Sequence, residues 1–149
     1  MVTLDEVRGF IGAEEPNYER AAARLGPDAL PHLAALALDD DTMIAMKAVS
    51  LAGYIGGDEA VQVVAEAAQA ERAELRVVAA GAAGKLGTAG EPVISDLLND
   101  ADRGVRKFAV KAVPAQASPR LREQLEDLGE NEPDEGVRDL AVGKLREAD

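Results

Sequence analysis

The sequence predicts an all-α fold, a right-handed α-solenoid of about five antiparallel helix pairs, and three observations lead there. Four stretches, Ile44 to Ile55, Leu75 to Leu86, Val105 to Gln116 and Val137 to Ala148, superimpose when the chain is slid by 31, 30 and 32 residues. Each begins with a branched aliphatic and has alanine at its fifth position (Ala48, Ala79, Ala109, Ala141) and a small or aliphatic residue at its ninth. A fixed period near thirty is the signature of stacked repeats sharing one continuous core. Composition agrees: 47% of residues are hydrophobic but 3% aromatic, so alanine and aliphatics fill the interior, and alanine favours closely approaching helices. Punctuation agrees as well, with Gly26-Pro27, Gly56-Gly57 and Gly87 through Gly90 recurring at the same period.

The elements follow in order. Leu4 to Ile11 and Asn17 to Leu25 read as a weak first pair, since Leu25-Gly26 lies thirty residues before Ile55-Gly56 and end repeats must present a polar outer face. Asp28 to Leu38, with Leu30, Leu33, Leu36 and Leu38 as its apolar pattern, precedes the Ile44 helix. Glu59 to Ala70 precedes the Leu75 helix, Glu91 to Leu98 the Val105 helix, and Ser118 to Leu128 the Val137 helix. The pairs therefore occupy approximately 1–26, 27–57, 58–88, 89–117 and 118–149, in a single domain. Glycines after the second helices of the first three pairs suit a left-handed cap. The acidic turns inside the pairs, Asp39 to Asp41, Asn99 to Asp102 and Asn131 to Glu135, are placed to cap the helix that follows. Pro114 is expected to kink the fourth pair's second helix or stop it by Val113. Lys47 and Lys144, at otherwise apolar phases, are expected to lay their stems along the core and carry the ammonium outward.

The formal charge of −12 disfavours a general nucleic-acid binder, because phosphate neutralisation needs a basic surface. Within this acidic chain residues 101–117 form a basic island, Arg103, Arg106, Lys107 and Lys111 against Asp102 alone. It reads either as solvated charge on one helix or as a local contact for an acidic partner. The absence of cysteine removes disulfides and thiolate metal sites and makes the cytoplasm the expected compartment. Val2 to Gly12 carries Asp5 and Glu6 where a secretory signal would be basic and then apolar, and no apolar run reaches the length of a membrane span. Met1 and the polar segment from Arg146 to Asp149 read as true ends.

Catalytic and cofactor chemistry finds little footing. Gly81 to Gly87 superficially matches a phosphate loop, but Ala79 stands where its first glycine belongs and Leu86 where Ser or Thr belongs. His32 is the single histidine, so no imidazole pair can hold zinc. Asp39-Asp40-Asp41 lacks the spacing of a calcium loop. The expectation is no catalytic residue, no cofactor and no metal.

The pattern Asp102-Arg103-Gly104-Val105-Arg106-Lys107-Phe108-Ala109 recurs as Asp134-Glu135-Gly136-Val137-Arg138-Asp139-Leu140-Ala141, and Leu75-Arg76 with Ala79 repeats its centre. This resembles a HEAT-repeat protein of the short type also found in phycobilin lyases, well over 28–148 and loosely over 1–27. The resemblance implies a hydrogen-bonded ladder between adjacent repeats, here Asp102 and Asp134 with Arg76, Arg106 and Arg138, interrupted at Ile44-Ala45. It also implies that second helices line a concave face. By helical phase that face would carry Met46, Ser50 and Gly53, then Val77, Gly81 and Gly84, then Lys107, Lys111 and Pro114, then Asp139, Gly143 and Arg146. Gly53, Gly81 and Gly84 in helix interiors suggest either close approach of a partner or relaxed helix packing.

The resulting expectation is a non-enzymatic protein-interaction module, a monomer or weak homodimer. It would hold a basic or helical protein partner on Met46, Ser50, Val77, Gly81, Lys107 and Lys111, without nucleic acid or membrane. Two alternatives stand beside it. One is an acidic inhibitor of a basic toxin or nuclease. The other is an enzyme of the bilin-lyase or DNA-glycosylase type, of which the latter needs a basic, aromatic-lined groove while this chain has four aromatics, Phe10, Tyr18, Tyr54 and Phe108.

Overall fold

A computed structural model of the chain describes residues 1–13 and 16–148. Among these, ten α-helices follow one another without a strand: α1 (Leu4–Ile11), α2 (Tyr18–Leu25), α3 (Leu30–Leu36), α4 (Thr42–Ile55) and α5 (Asp58–Ala67), then α6 (Ala73–Lys85), α7 (Glu91–Leu97), α8 (Arg103–Ala112), α9 (Pro119–Asn131) and α10 (Glu135–Ala148). Helices α3, α5, α7 and α9 each pack against the even helix that follows, whereas α1 packs against α3 and α4 rather than α2, so the expected first pair is not closed on itself; the even helices α2, α4, α6, α8 and α10 stack in sequence. The fold is a helical-repeat solenoid. No helix among the described residues is long and apolar enough to cross a membrane.

Local chemistry sets the helix ends. Asp41 accepts from the amides of Met43 and Ile44 (2.9 and 3.2 Å), Asp102 from Val105 (3.0 Å) and Asp134 from Val137 (3.0 Å), so the acidic turns do cap the second helices. Thr3, Asn17 and Ser118 do the same for α1, α2 and α9. Gly26, Gly56 and Gly87 follow second helices with φ of 65°, 77° and 63°, a region that a side chain disfavours. α8 ends at Ala112, and Val113 ahead of Pro114 is extended, so proline stops this helix.

The core runs the length of the stack in two adjoining clusters. One spans Val7, Leu25, Leu33, Leu51 and Val63; the other spans Val49, Val64, Ile94, Val110, Leu125 and Ala141. Helices α4 and α5 contribute to both, which joins the first two pairs to the rest. Ala45, Ala48, Ala52, Ala79, Ala83 and Ala109 have no exposure at all, and such small side chains bring neighbouring helices close.

The ladder between repeats exists, but its rungs differ from those implied by the resemblance. Arg76 binds Asp100 in a two-pronged pair (2.9 and 3.2 Å), and Arg106 binds Glu132 likewise (2.9 and 2.8 Å). Asp102 and Asp134 are not the partners of Arg76 and Arg106, because their carboxylates are occupied at the helix caps; Asp134 additionally meets Arg103 at 3.3 Å. The same arginines brace their own turns: Arg76 donates to the carbonyls of Ala70 and Glu71, Arg106 to those of Asp100 and Ala101, and Arg138 to that of Glu132. Where Ala45 removes the arginine, Ala70 removes its carboxylate one repeat later. That junction is crossed instead by Arg72, which reaches back to the carbonyls of Asp39 and Asp40 and to the Thr42 hydroxyl (3.0, 3.4 and 2.9 Å).

Two lysines make a further tie between repeats. Lys47 donates to the Ala13 carbonyl and Lys144 to the Val113 carbonyl, each at 3.0 Å. Their stems run along the packed helices, and the ammonium ends on a carbonyl of a preceding repeat rather than in water alone. On the opposite side Ser95 and Gln124 exchange hydrogen bonds (2.8 and 3.0 Å), tying α7 to α9.

Candidate functional site

The even-numbered helices carry the face that helical phase marks out, and there the chain forms a hollow of about 360 Å³. α4 supplies Met46, Ser50 and Tyr54, α6 supplies Val77, Val78, Gly81, Ala82 and Lys85, and the ends are closed by Tyr18 of α2 and Phe108 of α8. The i, i+4, i+8 spacing of Met46, Ser50 and Tyr54 places all three on one side of α4, and Val77, Gly81 and Lys85 repeat that row on α6.

Three of the chain's four aromatics converge here from widely separated positions. Tyr18 and Tyr54 stack with ring centroids 5.5 Å apart and planes 12° from parallel. The Lys85 ammonium lies 4.8 Å from the Tyr54 ring centre, and that of Lys111 lies 5.1 Å from that of Phe108. Burial pushes the Tyr18 hydroxyl above its ordinary pKa of 10.0, against the lowering effect of its hydrogen bond with Ser50. Phe108 remains 42% exposed, an apolar ring at the edge of the hollow.

Of the residues that sequence pattern singles out, Met46, Ser50, Val77 and Gly81 line this hollow together. Lys107 and Lys111 are exposed on α8 and outside its lining; they continue the Met46–Val77 and Ser50–Gly81 rows toward the last pair. Gly53 departs from its expected place. It is buried, and a methyl group on it would come within 2.9 Å of the Ala82 side chain, so this glycine serves the approach of α4 to α6. Gly84 is exposed but lies against α8, where an added methyl would stand 3.3 Å from the Ala112 carbonyl. At Gly81 an added methyl meets nothing within 4 Å. Gly81→Ala is therefore expected to stabilise the protein by about 0.5–1 kcal/mol through helix propensity. Gly53→Ala is expected to destabilise it by about 1–3 kcal/mol through overpacking. Urea titration of both variants checks the opposite signs.

Tyr18, Tyr54 and Phe108 escape a reading of the repeat alone, since no shared repeat position unites the three aromatics; Lys85 stands at the repeat position of Tyr54. A recess of about 450 Å³ between α3 and α5 is lined by Leu38, Val63, Glu66 and Arg72 among others. Arg72 is held there by its three bonds to the preceding turn, and no aromatic enters it.

The arrangement can do two things chemically: seat an apolar or aromatic side chain against the tyrosine stack, and offer ammonium groups around the opening.

Comparison with known proteins fits this architecture. The family model described as HEAT repeats matches residues 66–146. No curated protein sequence matches the chain significantly. Among solved structures, the chain is similar to the complex of CpcE and CpcF of phycocyanin lyase from Nostoc sp. PCC7120. That match has a TM-score of 0.73 and 16% identity over 95% of this chain and 96% of the other. An engineered protein is similar with a TM-score of 0.61 and 20% identity, over 97% of this chain and 72% of that one. At these identities the likeness speaks for the fold alone. The match of the repeat model over more than half of its length, together with the stacked helix pairs, places this chain in the HEAT-repeat family.

Proposed function

We propose that the protein is a non-enzymatic interaction module that holds a segment of another protein on its even-helix face, with the α4–α6 hollow as the anchor point. The observation that carries this reading is the convergence of Tyr18, Tyr54 and Phe108 on one open hollow beside Gly81, whose backbone is uncovered. A solenoid core needs aliphatics packed between helices. It does not need half-exposed aromatics outside that core, and exposed apolar patches of this kind mark contact surfaces. HEAT repeats supply the rigid, extended platform on which such a face is displayed. Met46, Ser50, Val77 and Gly81 are the proposed contact residues inside the hollow, with Lys107 and Lys111 along its continuation. The module acts as a monomer or weak homodimer in the cytoplasm and needs neither cofactor nor nucleic acid.

Gly81→Trp tests this. An indole at position 81 enters the hollow without meeting a neighbour at its Cβ, and helix propensity favours it over glycine. Immobilised wild-type protein is expected to retain a partner from lysate of the source cell that the Gly81→Trp variant loses at least tenfold, while circular dichroism shows equal helicity. Equal retention by both would move binding away from this face.

A further inference from the structure

Although the chain as a whole is strongly acidic, its charge is sorted by helix. All five lysines stand on even-numbered helices: Lys47 on α4, Lys85 on α6, Lys107 and Lys111 on α8, and Lys144 on α10. Helices α4 and α8 contain no acidic residue, and α2 and α6 contain one each, Glu19 and Glu74. The acid lies mainly on odd helices and in the turns. The expectation of a basic partner, drawn from net charge, therefore does not describe the face that carries the hollow.

Lys47 and Lys144 already bind carbonyls of preceding repeats. Lys85, Lys107 and Lys111 are exposed, and among the described residues none of them is held in an ion pair. Two of them rest over aromatic rings, an arrangement that leaves the ammonium available to a carboxylate. Asp139 terminates the Met46–Val77–Lys107 row, so that row carries no cation beyond α8.

We propose that the hollow takes an acidic peptide segment of a partner protein, one that seats an aromatic or aliphatic side chain against the Tyr18–Tyr54 stack and sets carboxylates toward Lys85, Lys107 and Lys111. This deepens the interaction-module reading and rests on it. Charge complementarity selects the segment and speeds its encounter. A polyphosphate chain fits less well, because the acidic turns at Asp39–Asp41 and Asn99–Asp102 repel a long anion, whereas a short peptide with a few carboxylates need not pass them.

The test is selection of a displayed library of random 16-residue peptides on three proteins: wild type, a Lys85→Glu/Lys107→Glu/Lys111→Glu variant, and Gly81→Trp. All substituted sites are exposed, so the variants are expected to fold; circular dichroism checks this before selection. Wild type is expected to enrich peptides with Asp or Glu beside an aromatic or aliphatic residue. These should bind the triple variant and Gly81→Trp at least tenfold more weakly, and should weaken as salt rises. Enrichment of Lys- or Arg-rich peptides that Gly81→Trp still blocks would overturn the acidic partner while leaving the binding face in place. Peptides that bind all three proteins equally would remove the face itself. Displacement of the selected peptides by a 20-nucleotide single-stranded DNA at comparable concentration would replace the peptide with nucleic acid as ligand, and an empty selection would overturn the proposal.

Discussion

Replacing Gly90 by alanine is expected to destabilise the protein by about 3 kcal/mol, near the upper end of what overpacking produces. Gly90 ends the short 3-10 turn that leads from α6 into α7, and there the chain folds back onto the helix it has just left. A methyl group on Gly90 would overlap the carbonyl oxygen of Ala83 and crowd its carbonyl carbon, which would stand 2.8 Å away. Both are backbone atoms inside α6, so no side-chain rotation relieves the clash; α7 has to move. Because α7 and the Leu98 that follows it supply Val93, Ile94, Leu97 and Leu98 to the larger core cluster, that movement loosens the stack next to the hollow. For a chain of this length the midpoint of thermal unfolding should fall by about 6–12 °C. A fall of less than about 2 °C would mean that the α6–α7 turn is not packed as described.

The second large effect is expected at the ladder. Glu132 has a side chain only 2% exposed, facing an Arg106 side chain 15% exposed. Glu132→Ala leaves the guanidinium without its carboxylate in a nearly dry site, and breaking such a pair costs about 3–5 kcal/mol. The lower end applies here, since Arg106 keeps the Asp100 and Ala101 carbonyls. Removing the arginine as well, as Arg106→Met/Glu132→Met, is expected to recover much of the loss, because the charge is then no longer stranded. A double-mutant cycle by urea titration gives the coupling directly.

The same pair makes stability pH-dependent. Hydrogen bonding from Arg106 holds the Glu132 carboxyl below its ordinary pKa of 4.5, and the Val137 amide at the helix cap holds Asp134 below 3.8. A depressed folded-state pKa gives stability that is fully present above the ordinary value and lost as pH falls through the folded one. The stabilisation from these groups should thus be complete and independent of pH near neutrality and begin to decline below about pH 4.5, with the Glu132→Gln variant showing a shallower decline.

Repeat architecture was readable from the chain because period, glycine punctuation and acidic caps each reflect a local requirement. Leu75, Val105 and Val137 recur because each is buried at the same height in the stack. The ladder was legible in its arginines but not in its carboxylates. Asp102 and Asp134 repeat more regularly than the position two residues earlier, which holds Asp39, Ala70, Asp100 and Glu132, yet regularity there reflects capping. Arg72 could have been found by noticing that Ala45 and Ala70 lose both partners of one rung. Helical phase placed Met46, Ser50, Val77 and Gly81 correctly on one face. It misplaced Gly53, because phase gives a direction around a helix and not the distance to the next one. The aromatic cluster lay beyond sequence reasoning: Tyr18, Tyr54 and Phe108 share no repeat position, and only the stacking of four even helices brings them together.

Site-specific photo-crosslinking in the source cell addresses the binding face most directly. A benzophenone amino acid is placed at position 81, inside the hollow, and in a parallel strain at position 62, exposed on the odd helix α5. Irradiation is expected to yield a discrete protein adduct from position 81 and none from position 62. An adduct from position 62 alone, or no adduct from position 81 in cells where the protein is expressed and folded, would contradict the assignment of partner binding to the even-helix face.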